Sequence, residues 1–182
     1  HARGLGQTVY GETCPQYLLL TRAEYDRPNF EGAKFVMSPP LREHADQLNL
    51  WDALAVGDLQ VAATDHCPFF FAGQKDRGRD AFNKIPGGAP GVETRLPLLY
   101  TCGVREERMS LSRWVEVCCS EPARLFGLPQ KGRIVEGADA DLVIFNPDRR
   151  VTLHHRMLHQ NVDYTPYEGM ELVGYPETTV LR

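Results

Sequence analysis

The chain has 182 residues, 42% of them apolar and 24% charged, and a formal net charge of −4. No apolar run reaches the roughly 20 residues that a membrane helix needs, and no basic cluster offsets the negative balance. A membrane-spanning helix and a nucleic-acid partner are therefore not expected, and a small molecule is the expected ligand. The length can bury a sizeable core but falls short of the roughly 250 residues typical of a complete (β/α)8 barrel.

The first predicted strand covers residues 7–12, where Val9 and Tyr10 precede Gly11. A second, residues 34–37, stops at Ser38-Pro39-Pro40. Residues 43–56 carry Leu48, Trp51, Leu54 and Ala55 at helical spacing, with Gly57 as the stop signal. Residues 59–64 form the third strand. Strand, helix and strand in this order predict a parallel sheet with a right-handed crossover.

That third strand leads into Thr64-Asp65-His66-Cys67-Pro68-Phe69. A short apolar run that ends in an acid before a proline reads as a buried parallel strand delivering a carboxylate to its C-terminal end, where α/β barrels assemble their sites. The residues alone leave two roles open for Asp65: chemistry, or hydrogen bonding of the turn that Pro68 enforces. Alternation along the strand points His66 away from whatever Asp65 faces, which predicts a structural or supporting histidine.

Residues 69–91 are rich in glycine and proline and too long for an idle connection, so a functional loop is expected. Helices are predicted over residues 92–101 and 112–126, the latter capped by Ser110 or Ser112. From Lys131 onward, short runs such as Asp141-Leu142-Val143-Ile144-Phe145 alternate with turns, which suits a small β layer, with a boundary near residues 127–131. His154, His155 and His159 are expected to be solvated, His44 to sit at a helix start, and Arg42 and Arg95 to be ion-paired.

Five cysteines without a CxxC pair predict reduced thiols and a cytoplasmic protein, with Cys118 and Cys119 as packing residues. The chain opens His1-Ala2-Arg3-Gly4 and closes at Thr179-Val180-Leu181-Arg182 inside a predicted strand. An internal portion of a longer protein is the expectation.

Five motifs occur in one order: Gly11-Glu12-Thr13-Cys14-Pro15-Gln16-Tyr17-Leu18, Met37-Ser38-Pro39-Pro40-Leu41-Arg42, Thr64-Asp65-His66-Cys67-Pro68-Phe69, Ile85-Pro86-Gly87-Gly88-Ala89-Pro90-Gly91-Val92-Glu93 and Gly137-Ala138-Asp139-Ala140-Asp141-Leu142-Val143. Together they resemble the dihydropyrimidinase and hydantoinase family of cyclic amidohydrolases, from about Tyr10 to Arg182. The resemblance implies an α/β fold in which residues 1–130 are the last strands and helices of a (β/α)8 TIM barrel and residues 131–182 part of a small β-sandwich. It also implies a binuclear metal centre, usually Zn2+, held by four histidines, a carbamylated lysine and one aspartate. The aspartate maps onto Asp65 as metal ligand and catalytic base and acid. The other ligands fall before residue 1, and His1 maps onto none of them.

By the same resemblance, Ser38 and Gly87 contact the substrate, a cyclic ureide, through main-chain atoms. Gly87 stands where many members carry asparagine, which puts substrate preference in question. A homotetramer is implied for the full-length protein. One carboxylate cannot hold two ions, so this portion alone is expected to be inactive. Rival readings are a dihydroorotase or allantoinase type and a noncatalytic, collapsin-response-mediator-like assembly protein. The loop motifs favour the hydantoinase branch over the first, and Asp65 favours an enzyme over the second.

Overall fold

A parallel pair of very short strands organises the N-terminal half. In the computed structural model, which describes residues 2–181, β1 (Glu12–Thr13) lies beside β2 (Val61–Ala62), with Glu12 opposite Val61 and Thr13 opposite Ala62. His1 and Arg182, on which two of the terminal readings fall, lie outside the described residues. Between the strands come α1 (Pro15–Leu19) and α2 (His44–Val56), so a parallel crossover is present. It joins the third expected strand to only the last residue of the first, since Val9 and Tyr10 lie exposed ahead of β1 and outside any strand.

The second expected strand is absent among the described residues. Lys34 and Phe35 close a 3-10 turn over Glu31–Phe35, and Val36 then runs extended. Phe35 and Met37 still alternate into the core as strand residues would. The carbonyl between them is taken by other donors: Val36 accepts from the Gly88 amide at 3.0 Å and from Lys75 Nζ at 2.8 Å, so no ladder forms there.

Helix α2 starts at His44 behind a capping box, in which Glu43 and Asp46 satisfy each other's amides, and stops at left-handed Gly57. Its inward face is Gln47, Trp51 and Leu54, whereas Leu48, expected on that face, is exposed. Trp51 donates to the Leu18 carbonyl at 3.2 Å, which fixes α2 against α1.

The two later helices each contain a widened turn. α3 (Arg95–Leu99) continues as a π-helical turn over Tyr100–Val104. α4 (Leu111–Val115) passes through a π turn, Glu116–Ser120, into α5 (Glu121–Leu125). Ser110 caps α4, its hydroxyl accepting from the Arg113 amide at 3.1 Å. β3 (Leu142–Thr152) and β4 (Glu171–Val180) form an antiparallel ribbon with register breaks after Ile144 and Asn146.

Two apolar clusters meet at α3, whose adjacent Leu98 and Leu99 are both fully buried. Leu99 joins Leu18, Trp51, Leu54 and Val117, while Leu98 joins Phe35, Met37, Leu153 and Leu172. The ribbon thus shares a core with the N-terminal half. Tyr100, Trp114 and Phe145 add a ring triangle with centroids 4.8 to 5.4 Å apart. Among the described residues no helix is long and apolar enough to cross a membrane.

Candidate active site

Asp65 follows β2 at its C-terminal end, as the sequence predicts, and occupies the left-handed region with φ of +46°. That conformation is uncommon for a residue other than glycine and is held by its surroundings. The residues leading to it are pinned three times: Arg95 donates to the Ala62 carbonyl at 2.8 Å, the Ala63 amide to Thr13 at 2.8 Å, and Gln16 Nε2 to the Thr64 carbonyl at 3.0 Å. Arg95 is therefore tied to backbone rather than ion-paired. Arg42, also expected in an ion pair, lies exposed at the rim of the cleft that Asp65 lines.

This cleft has a volume of about 490 Å³ and includes Glu12, Cys14, Tyr17, Pro39 and Asp65. Burial, then the charges of Glu12 and Asp65, push the Cys14 thiol up to about 12, so it stays protonated and is no nucleophile at neutral pH. Burial likewise raises the Tyr17 phenol to about 12. Its hydroxyl donates to the Pro39 carbonyl at 3.1 Å and orients the turn after Ser38, whose peptide bond to Pro39 is cis.

Three extended segments converge beside the cleft. Cys67 donates its amide to Ala89 at 3.1 Å, and His66 and Ala89 form a parallel bridge. The Gly88 amide reaches Val36 at 3.0 Å. The structure thus brings the segments bearing Asp65, Gly87 and Ser38 side by side. The two glycines differ: Gly87 is exposed with open space where a Cβ would point, whereas Gly88 is buried with φ of +152° and a Cβ there would lie 2.6 Å from the Cys67 carbonyl.

His66 has a structural role: its Nδ1 accepts the Gly91 and Val92 amides, and burial lowers its pKa. His44 begins α2 as expected, its ring meeting Gln47 Oε1 at 2.8 Å, and the three later histidines contact carboxylates as well as solvent. His154 and His155 meet Glu168 at 2.9 and 3.2 Å, and His159 meets Glu93 at 2.8 Å. Cys118 is buried, but Cys119 is exposed. Two residues went unmarked in the sequence. Lys75 is completely buried, and Asp163 accepts the Phe71 and Ala72 amides at 2.7 and 3.0 Å, binding the long loop to the segment before β4. Neither stands in a recognisable motif, and a lysine among charged loop residues reads as solvated.

The Asp65 side chain is exposed and engages no hydrogen-bond or ion-pair partner among the described residues. Such a carboxylate, rigidly presented, fits one donor of a divalent-cation site. No group of three or more His, Cys, Asp or Glu able to hold a metal occurs among the described residues.

Residues 30–179 match the model of the amidohydrolase family. The chain belongs to that family. The amidohydrolase is 50% identical over its full 182 residues to a D-hydantoinase of Streptomyces coelicolor and 48% identical to that of Geobacillus stearothermophilus, covering 39% of each. The solved dihydropyrimidinase of Brevibacillus agri NCHU1002 matches 99% of the chain with a TM-score of 0.97 at 49% identity, again over 39% of that protein. The chain thus spans about two-fifths of the length of the relatives it matches, and its fold is α/β of the TIM-barrel type.

Proposed function

We propose that this amidohydrolase chain works within a longer, metal-dependent enzyme that opens a cyclic ureide, a dihydropyrimidine or a 5-substituted hydantoin, to an N-carbamoyl amino acid. Residues 1–130 supply the last strands and helices of the barrel and residues 131–182 part of the β-sandwich. The observation that carries the reading is the convergence of the Asp65, Ser38 and Gly87 segments at one edge of the parallel pair. The names of the relatives, D-hydantoinase and dihydropyrimidinase, point to the same chemistry.

Divalent ions, in this family usually Zn2+, acidify water and polarise the ring carbonyl when bound. Asp65 would hold one such ion, and its carboxylate would take the proton from the attacking water and return it to the departing ring nitrogen. Asp65 lines the cleft, and among the described residues its side chain has no hydrogen-bond partner that would compete. A cyclic ureide alternates N–H donors and C=O acceptors, which main-chain groups at Ser38 and Gly87 match. Exposed Val143, Ile144 and Val180 on the ribbon support assembly through that part, as a homotetramer. Five free thiols support a reducing, cytoplasmic setting.

The test uses the full-length enzyme expressed with zinc, assayed for ring opening of dihydrouracil and hydantoin beside Asp65→Ala. Opening of either ring, falling by about a thousand-fold or more in the variant together with reduced metal content, is expected. A zinc-loaded wild-type enzyme that opens neither ring overturns the reading. So does an Asp65→Ala variant that keeps full activity.

A further inference from the structure

Lys75 begins a 3-10 turn, Lys75–Arg79, in the long loop after β2, and none of its surface reaches solvent. Its Nζ donates to the Val36 carbonyl at 2.8 Å and to the Pro86 carbonyl at 3.1 Å. No carboxylate pairs with it among the described residues. Taking an ammonium out of water is costly, and an apolar side chain of the same length fills such a space at lower cost. Burial accordingly pushes its pKa down to about 8, with Cys67 nearby acting in the opposite sense. The head group must therefore do something that a hydrocarbon cannot.

Its position supplies the reason. Val36 lies two residues before Ser38, and Pro86 immediately before Gly87. The backbones of these segments meet through one bond, Gly88 to Val36, and form no ladder beyond it. A lysine head with three divergent donors can bridge carbonyls whose geometry no strand partner satisfies.

We propose that Lys75 is a positioning residue for substrate: its ammonium sets the spacing between residues 36–38 and 86–88, so that main-chain groups at Ser38 and Gly87 engage the same cyclic ureide. This rests on the cyclic-ureide reading above. Contacts to the ring are made alike in the ground state and the transition state. Loss of the tie therefore weakens binding uniformly, raising KM while kcat holds.

The test compares full-length wild-type enzyme, Lys75→Met and Lys84→Met, the last removing an exposed lysine of the same loop. Steady-state kinetics on dihydrouracil and hydantoin are combined with amide hydrogen exchange, followed by mass spectrometry, of peptides covering residues 36–38 and 86–88. In Lys75→Met, KM is expected to rise about ten-fold for either ring with kcat held within about three-fold. Exchange is expected to quicken in both segments together but not in α2, and Lys84→Met should behave as wild type. Lys75→Gln, which keeps a shorter donor, should fall between the two and serves if the methionine variant does not accumulate.

An unchanged KM, a fall confined to kcat, or exchange that quickens in only one segment or neither overturns the proposal. A wild-type enzyme that opens neither ring overturns the cyclic-ureide reading instead. The exchange data then decide alone whether Lys75 ties the two segments.

Discussion

The Nδ1 of His66 accepts the Gly91 amide at 3.0 Å. The Val92 amide reaches the same atom at 3.1 Å, so the ring that directly follows Asp65 closes the glycine-rich turn onto the end of β2. In the neutral ring an acceptor at Nδ1 leaves the proton on Nε2.

Replacing His66 by alanine leaves both amides without that acceptor, and a loss of about 1–3 kcal/mol is expected. Asparagine sets its Oδ1 close to the position of Nδ1 and should restore roughly half of it. Urea unfolding of wild type and both variants measures the difference. Equal stabilities in all three would show that the ring is dispensable.

Gly87 and Gly88 are expected to respond in opposite ways to a side chain. At Gly88, the left-handed φ and the 2.6 Å approach to the Cys67 carbonyl should make alanine cost more than about 3 kcal/mol. At Gly87 the space is open, so asparagine should change stability by no more than about 0.5 kcal/mol. Its effect should appear as an altered ratio of kcat/KM between dihydrouracil and hydantoin. Thermal unfolding and competitive assays report the two outcomes separately.

Arg113 links three elements. Its Nε donates to the Leu54 carbonyl at 2.7 Å, its Nη2 to Leu59 at 2.6 Å, and it pairs with Glu116 at 2.8 Å. Arg113→Met strips donors from two carbonyls where α2 turns into β2, and a loss of roughly 2–4 kcal/mol is expected. Glu116→Gln, at the more exposed end of the pair, should cost less than about 1 kcal/mol. Denaturant midpoints of both variants decide whether the carbonyl contacts outweigh the ion pair.

The buried ammonium of Lys75 has a pH signature. Its pKa is about 8 in the fold against an ordinary 10.5. Between those values the unfolded chain binds more protons, so the residue's contribution to stability rises with pH through that window, by at most about 1.4 kcal/mol per pH unit. Below about pH 8 the penalty is present in full. The stability of wild type relative to Lys75→Met should therefore improve from the lower to the upper end of the window. A difference independent of pH would show that the ammonium is not penalised by burial.

The strand-end aspartate was legible because period and punctuation agree: Val61 and Ala62 are buried, and Asp65 precedes the proline that ends the run. The same cues misplaced a strand at residues 34–37. Phe35 and Met37 do alternate into the core, but a strand also requires a partner, and partners are not written in local pattern. Helix α2 was legible down to its glycine stop, yet Leu48 faces solvent because Gln47, one residue earlier, takes the inward position. Ser110 was recognisable as a cap. Lys75 was not, since nothing in Gln74-Lys75-Asp76-Arg77 marks one charge among several as buried. That information lies in carbonyls remote in sequence.

The adjacent glycines also bear on how such a site can change over generations. Gly88 is locked by contact with Cys67, while its neighbour faces empty space. A single codon change at Gly87 thus alters the texture of the loop while leaving its architecture intact. The main-chain recognition proposed above would have the same effect, because it uncouples what the site holds from which side chains surround it. A scaffold of this kind can drift in ligand preference in small steps, each of which still folds.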